Sequence, residues 1–321
     1  MNFIIVQFGR IGDMILLTPL FNRIKHLFPN ANIDLLAGRH NNKIVSNNPN
    51  LNNIFFYEKT PLKFISLVNH IRKNKYDFLI DPKDHYSRES HLFAKLIKAK
   101  NKIGFNPIGK KTFNQTIPSQ EKNEGKHYIE RVLQPLYFLD YSKEAELPKP
   151  ELFLFNESEI YFNEFLKKNE ISDYIVLNIS ASRESKMWKS YKWIDFLENT
   201  NFGKFKIILV NSPTEKEAAT AIKEKCPYVN LFPSRSIQDV VSVVNRATLV
   251  ISPDTAIVHI AAAFDKPLFA LYNGLENFYT KFYPLCSEKC IIKANPKEDT
   301  IENIPTEIAI SQFNEFIKKY L

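Results

Sequence analysis

Only three cysteines occur in 321 residues, Cys226, Cys286 and Cys290, too few for a disulfide scaffold. The Cys-x-x-x-Cys pair has no second pair and no histidine cluster to complete it, so no metal site is expected. Glycine is scarce, eight in the whole chain, and the first turn lacks the G-x-G-x-x-G spacing of a dinucleotide fingerprint. No uninterrupted apolar run approaches the ~18 residues of a membrane span. The opening Phe3-Ile4-Ile5-Val6 carries no basic n-region, long h-region or small-residue cleavage site, so no export signal is read and a reducing cytosol is expected. What remains is 44% apolar and 24% charged, the balance of a soluble folded protein rather than a disordered one.

Acidic charge is short in one half only. Residues 1–150 hold 23 Lys plus Arg against 13 Asp plus Glu, a net +10, whereas 151–321 hold 20 against 22, a net −2. A field of that sign favours an anionic partner: a nucleic acid, an acidic membrane surface or a phosphorylated substrate. Lysine-rich solvated helices explain part of the same excess.

Strand-length apolar runs alternate with helical patterns in both halves. Phe3–Phe8 reads as a strand, followed by a glycine turn and a helix from Met14 to Phe28. Ile33–Ala37 and Tyr76–Asp81 read as further strands, with a basic helix over Leu62–Lys75. Leu147-Pro148-Lys149-Pro150 interrupts the pattern, which places the domain junction at 146–170 and the domains at 1–155 and 156–321, the last helix being free to pack back on the first domain. The scheme then restarts: strands at 174–179, 206–210, 248–252 and 268–272, helices at 157–169, 191–198, 214–225, 237–245 and 256–264, and a closing amphipathic helix at 307–320. This predicts an α/β protein of two Rossmann-like, doubly wound domains facing a cleft.

Three segments at strand carboxyl ends can carry chemistry, because open parallel sheets place ligands there. In Gly9-Arg10-Ile11-Gly12-Asp13 the acid at the helix start would repel a pyrophosphate, so Asp13 suits a general base held ionised by the helix dipole. Asp is also a favoured helix cap, and on local evidence alone the capping role comes first. In Pro253-Asp254-Thr255-Ala256-Ile257-Val258-His259 a helix begins with no acid after Asp254, so its free N–H groups and the Thr255 hydroxyl suit a diphosphate. Thr255 and His259 share a helical face; Asp254 or Thr255 as a plain cap and His259 as a packing residue are the simpler alternatives. Ser180–Trp188 offers hydroxyls and the cations Arg183 and Lys186, a set for phosphate oxygens that a plain surface loop would share.

The first turn followed by Leu16-Leu17-Thr18-Pro19-Leu20, the Lys186-Met187-Trp188 loop, and Asp254–His259 followed by Lys266–Tyr272 resemble the lipopolysaccharide heptosyltransferase family, glycosyltransferase family 9. Tyr76–Asp81 and Ile103-Gly104-Phe105 match as well, so the resemblance runs in order through nearly the whole chain. It implies a GT-B architecture with an acceptor-binding first domain, a donor-binding second domain, and inverting transfer from a nucleotide sugar without metal or cofactor. It also implies Asp13 as the base, Ser182 and Lys186 on the donor phosphates, and Asp254, Thr255, Ala256 and His259 lining the donor site. Ala256 departs from the family, which usually has glycine there.

The expected function is therefore transfer of a sugar, heptose from ADP-heptose first, to an anionic glycolipid acceptor of the lipopolysaccharide core. Lys83, His85 and Arg88, which follow the strand ending at Asp81, are the expected acceptor contacts. The segment Leu62–Lys75 offers a peripheral contact with anionic lipid at the inner face of the cytoplasmic membrane, or a merely solvated basic surface. Alternatives are a GT-B enzyme moving another sugar to a cell-surface glycan, a nicotinamide oxidoreductase and a basic nucleic-acid-binding protein. The missing glycine fingerprint counts against the oxidoreductase, and the lack of a recognisable basic helix or aromatic platform against nucleic acid.

Overall fold

In the computed structural model, which describes Met1 to Leu321, the chain divides into two units. One comprises Met1–Phe153 with Thr280–Phe282, the other Leu154–Tyr279 with Tyr283–Leu321.

The first unit holds β1 (Asn2–Gln7), α1 (Ile11–Ile15), α2 (Thr18–Leu27), β2 (Asn32–Gly38), β3 (Asn53–Tyr57), α3 (Pro61–Ile71), β4 (Tyr76–Ile80), α4 (Arg88–Leu96), β5 (Ala99–Gly104), β6 (Gln115–Thr116) and α5 (Tyr128–Leu133). Its strands form one parallel sheet in the order β3-β2-β1-β4-β5-β6. The central β1 is buried from Phe3 to Gln7, as a strand covered on both faces must be. Ile4 and Val6 pack with Leu36, Leu79, Phe93, Val68 and Ile71, so α3 and α4 cover the same face.

The second unit holds α6 (Asn156–Lys168), β7 (Tyr174–Asn178), α7 (Ser190–Glu198), β8 (Lys206–Val210), α8 (Lys216–Lys225), β9 (Val229–Leu231), α9 (Ile237–Arg246), β10 (Leu249–Pro253), α10 (Ala256–Ala263), β11 (Leu268–Tyr272), α11 (Glu276–Phe282, its last three residues counted with the first unit), β12 (Lys289–Lys293) and α12 (Thr306–Ile317). Its parallel sheet has the order β12-β11-β10-β7-β8-β9. The closing helix α12 packs in this unit: Phe313 lies against Phe196, Phe202 and Phe269, with ring centroids 5.0–5.5 Å apart. Truncating such a buried aromatic ring costs about 3–5 kcal/mol.

Counted from the first strand of each unit, both sheets run third, second, first, fourth, fifth, sixth. The order reverses between first and fourth strands, where β1 pairs β4 and β7 pairs β10. The connections leaving those strands at their carboxyl ends diverge to opposite sides, opening the crevice in which such sheets bind ligands.

The helix expected over Met14–Phe28 is two helices. Pro19 has no N–H to give the Ile15 carbonyl, and the Thr18 hydroxyl donates to that carbonyl instead, at 2.7 Å. The break leaves α1 only five residues long.

Candidate functional site

In the first unit the β1–α1 turn is tied from three sides. The Gly9 N–H donates to Gln7 Oε1 at 2.9 Å, and Asn41 Nδ2 donates to the carbonyls of Gln7 and Gly9 at 3.1 and 2.8 Å. Asp13, on the third residue of α1, folds back so that its Oδ2 accepts from the Arg10 N–H at 2.8 Å. A Cβ at position 9 would lie 2.4 Å from that carboxylate oxygen, so only glycine lets Asp13 close over the turn. Asp13 is thus not the N-cap, which is Arg10, but caps from the third helical position by accepting the N-cap N–H. This also fixes a half-buried carboxylate at the carboxyl end of the central strand.

Tyr128, at the start of α5, accepts from Gln7 Nε2 at 3.2 Å. Burial pushes its phenol well above the ordinary range, and the Asp13 carboxylate adds to this. The turn after β4 supplies two buried carboxylates with opposite behaviour. Burial raises the Asp81 carboxyl to about 6. Burial acts on Asp84 too, but His85, Lys281 and Arg131 outweigh it and hold that carboxyl at about 2. Asp84 Oδ2 accepts from Arg131 Nη1 at 2.9 Å, with 3% and 6% of the two side chains exposed. Asn123 and Gln134, both buried, close the network through reciprocal amide bonds of 3.2 and 2.6 Å.

Of the expected acceptor contacts, His85 is exposed and tethered to Asp84 Oδ1 at 3.2 Å, while the Lys83 N–H donates to Asp81 at 3.3 Å. Arg88 stands exposed on the first turn of α4 and takes no part in that network.

In the second unit Asn178, the buried last residue of β7, joins the two switch-point strands. Its Nδ2 donates to Ser252 Oγ at 2.9 Å and to Thr255 Oγ1 at 3.2 Å. Thr255 caps α10, accepting from the Ile257 N–H at 3.3 Å, and the first turn of that helix holds no acid. Lys186 forms an ion pair with Asp254, the two side chains being 12% and 7% exposed, and its ammonium lies 5.8 Å from the Phe278 ring centroid. The loop bearing Lys186 is pinned by Trp188, whose indole N–H donates to the Ile301 carbonyl at 2.9 Å. Four expected donor residues, Lys186, Asp254, Thr255 and Ala256, therefore gather at the ends of β7 and β10. His259 is buried one turn into α10, and Ser182 is exposed at the start of the loop.

Residues 64–303 match the family model described as glycosyltransferase family 9 (heptosyltransferase). The chain belongs to glycosyltransferase family 9. It is 25% identical to lipopolysaccharide heptosyltransferase 3 of Escherichia coli K12 over 291 residues, covering 84% of this chain and 81% of that one. A family 9 glycosyltransferase structure from Veillonella parvula superposes with a TM-score of 0.83 at 17% identity, over 99% of this chain and 97% of the other. The E. coli heptosyltransferase WaaC bound to ADP-2-deoxy-2-fluoro heptose superposes at 0.76 with 20% identity, over 98% and 99%. The fold is GT-B, and the protein is a glycosyltransferase.

In this family 9 chain, Ala256 is the first residue of α10 and has no positive φ, so alanine replaces the usual glycine without backbone strain. Sequence reasoning missed Gln7, Asp84, Tyr128 and Arg131. Arg131 lies 47 positions from Asp84, and no local pattern joins them. It also missed the end of β8, where the Ser212 N–H donates to Ser180 Oγ at 2.6 Å and the Ser212 hydroxyl pairs with the buried Glu215.

Proposed function

We propose that this enzyme transfers a heptose from ADP-heptose, with inversion, to an anionic acceptor of the lipopolysaccharide core, working from the cytoplasmic side of the membrane that carries it. The second unit takes the donor. A diphosphate at the start of α10 meets helix N–H groups with no acid among them, and the Lys186 ammonium neutralises charge as the sugar–phosphate bond breaks. The first unit takes the acceptor, with Lys83, His85 and Arg88 as its cationic contacts. Asp13 removes the proton from the acceptor hydroxyl while that oxygen attacks the anomeric carbon and ADP departs. Developing positive charge on the sugar ring is that of an oxocarbenium-like transition state.

The observation that carries this assignment is Asp13 itself, a carboxylate fixed by glycine-dependent geometry at the end of the central strand. Asp13→Asn retains an oxygen able to accept from Arg10 but not the basicity. It is expected to slow transfer by ~10²–10⁴-fold while ADP affinity and melting temperature stay near wild type. Loss of activity only in step with loss of folding would reduce Asp13 to a cap.

A further inference from the structure

One cation of the first unit has no carboxylate of its own. Lys281 stands in the last turn of α11, within the Thr280–Phe282 segment that belongs to the first unit. Its side chain is half-buried. The ammonium lies 5.6 Å from the Tyr128 ring centroid and 5.2 Å from that of Phe282, whose ring packs on Tyr128 at 5.5 Å. The fields of Asp84 and Asp13 reach it, but both carboxylates are already engaged, Asp84 by Arg131, His85 and Asn123, and Asp13 by the Arg10 N–H. Burial pushes the Lys281 ammonium below its ordinary range, and the two carboxylates do not make up the difference.

Tyr128 adds a second unspent donor beside it. Gln7 is wholly buried and its amide is oriented from both ends: Oε1 accepts from the Gly9 N–H, so Nε2 faces Tyr128 and donates to its hydroxyl oxygen. The phenol's own hydrogen finds no acceptor in the protein, and burial keeps that hydrogen in place at neutral pH. An ammonium held partly out of water without a partner costs stability, a cost that is relieved when an anion binds.

We propose that Lys281 and the Tyr128 hydroxyl bind an anionic group of the acceptor, a carboxylate or a phosphate, beside the hydroxyl that Asp13 deprotonates, and so select this acceptor over a neutral sugar. The proposal rests on the acceptor assignment above and gives that site its charge-reading residue. His85 and Arg88 are exposed, where water screens an ion pair, whereas Lys281 meets its ligand in a drier place and discriminates more strongly. The departing diphosphate is the other anion of the reaction, and Lys186 answers to it in the second unit.

Lys281→Met keeps the length of the side chain and removes its charge. In the full-length enzyme with a deacylated core oligosaccharide as acceptor, KM for the oligosaccharide should rise about 10–100-fold, the worth of one charge-assisted hydrogen bond. The dissociation constant of ADP and KM for ADP-heptose should stay within about twofold. Tyr128→Phe should raise the oligosaccharide KM about 3–10-fold. Against an oligosaccharide both dephosphorylated and carboxyl-reduced, wild type and Lys281→Met should differ by less than about threefold, because the interaction is absent from both; either treatment alone identifies which anion Lys281 meets. The melting temperature of Lys281→Met should equal or exceed that of wild type, since an unpaired cation has left a half-buried position. An unchanged oligosaccharide KM, an equal deficit against the neutral oligosaccharide, or a loss expressed in ADP affinity would overturn the proposal, as would a melting temperature well below wild type, which would make Lys281 a structural countercharge to Asp84. Calorimetric titration with the oligosaccharide in the absence of donor separates this site from the assigned activity. A wild-type protein that transfers no heptose, but whose oligosaccharide binding Lys281→Met weakens, would refute the activity and leave the anion site standing; oligosaccharide binding indifferent to Lys281 would remove the site whatever the activity.

Discussion

The two sheets share one strand order and arm its reversal with opposite chemistry. In the first, a carboxylate follows the first strand, Asp13, and a buried carboxylate–guanidinium pair is anchored after the fourth. In the second, the cation Lys186 follows the first strand and its partner Asp254 follows the fourth. The helices after the Gly9 turn and the Asp254 turn differ in the same sense. The start of α1 is occupied by its own acid, whereas α10 starts with a threonine cap and no acid. One end repels a phosphate and the other attracts it. Topology therefore fixes where a ligand binds, and the turn residues fix which ligand it is.

The two ion pairs differ in kind as well, and this can be broken experimentally. Asp84 and Arg131 are fully interior, so Asp84→Asn leaves a buried guanidinium without its countercharge and is expected to cost about 3–5 kcal/mol in urea unfolding at neutral pH. The Asp84 carboxyl titrates at about 2, below its ordinary value of 3.8. Its contribution to stability is accordingly present above pH ~4 and lost as pH falls toward 2. The mutant should be markedly less stable than wild type at pH 7, with the difference closing near pH 2. Equal urea midpoints at pH 7 would mean that the network is ornamental.

Lys186 holds its partner through one ammonium, and in the proposed mechanism it also meets the donor, so the opposite division is expected there. Lys186→Ala should slow transfer by ~30–1000-fold, about 2–4 kcal/mol of transition-state stabilisation, with a change in melting temperature smaller than that of Asp84→Asn. Wild-type turnover and ADP affinity in this variant would remove Lys186 from the donor site.

Most of the fold and half of the site were legible in the chain. Continuous apolar runs such as Tyr174–Asn178 and Leu268–Tyr272 are buried on both faces and announce themselves. Five strands were missed: β6 and β9 are only two and three residues long, and β3, β5 and β12 carry Asn, Lys or Cys among their apolar residues and are partly exposed, so alternation and length gave no clean signal. The Leu62–Lys75 segment was readable as a basic helix, and α3 spans Pro61–Ile71. Asp13, Lys186 and Thr255 sit within a few residues of a strand end, where position alone suggests a role. Arg131 and Tyr128 reach the site from a helix that follows the whole first sheet, and only folding brings them to Asp84 and Gln7.

Asp81 and Asp84 sharpen the comparison within one turn. Burial raises the Asp81 carboxyl to about 6, above its ordinary 3.8, and no guanidinium offsets it. A raised carboxyl favours the folded state only while protonated, so its ionisation destabilises the protein progressively from pH ~4 to above 6. Asp81→Asn should therefore stabilise the fold by about 1–3 kcal/mol at pH 7.5 and have little effect at pH 4. A destabilised variant at pH 7.5 would show that the ionised carboxylate has a partner worth more than its burial costs.

The smallest effect is expected at Ala256. The family resemblance calls for glycine there, and one reason would be a backbone that only glycine adopts. That reason does not hold, since Ala256 is helical and its φ is not positive. Ala256→Gly thus removes only a methyl group and adds backbone freedom, which should cost no more than ~1 kcal/mol of stability. Calorimetric titration with ADP should give a dissociation constant within ~threefold of wild type, an energy difference of under ~0.7 kcal/mol. Tenfold tighter binding by the glycine variant would show instead that this methyl narrows the phosphate end of α10, and that the second unit of this chain has been trimmed for a donor its relatives hold more closely.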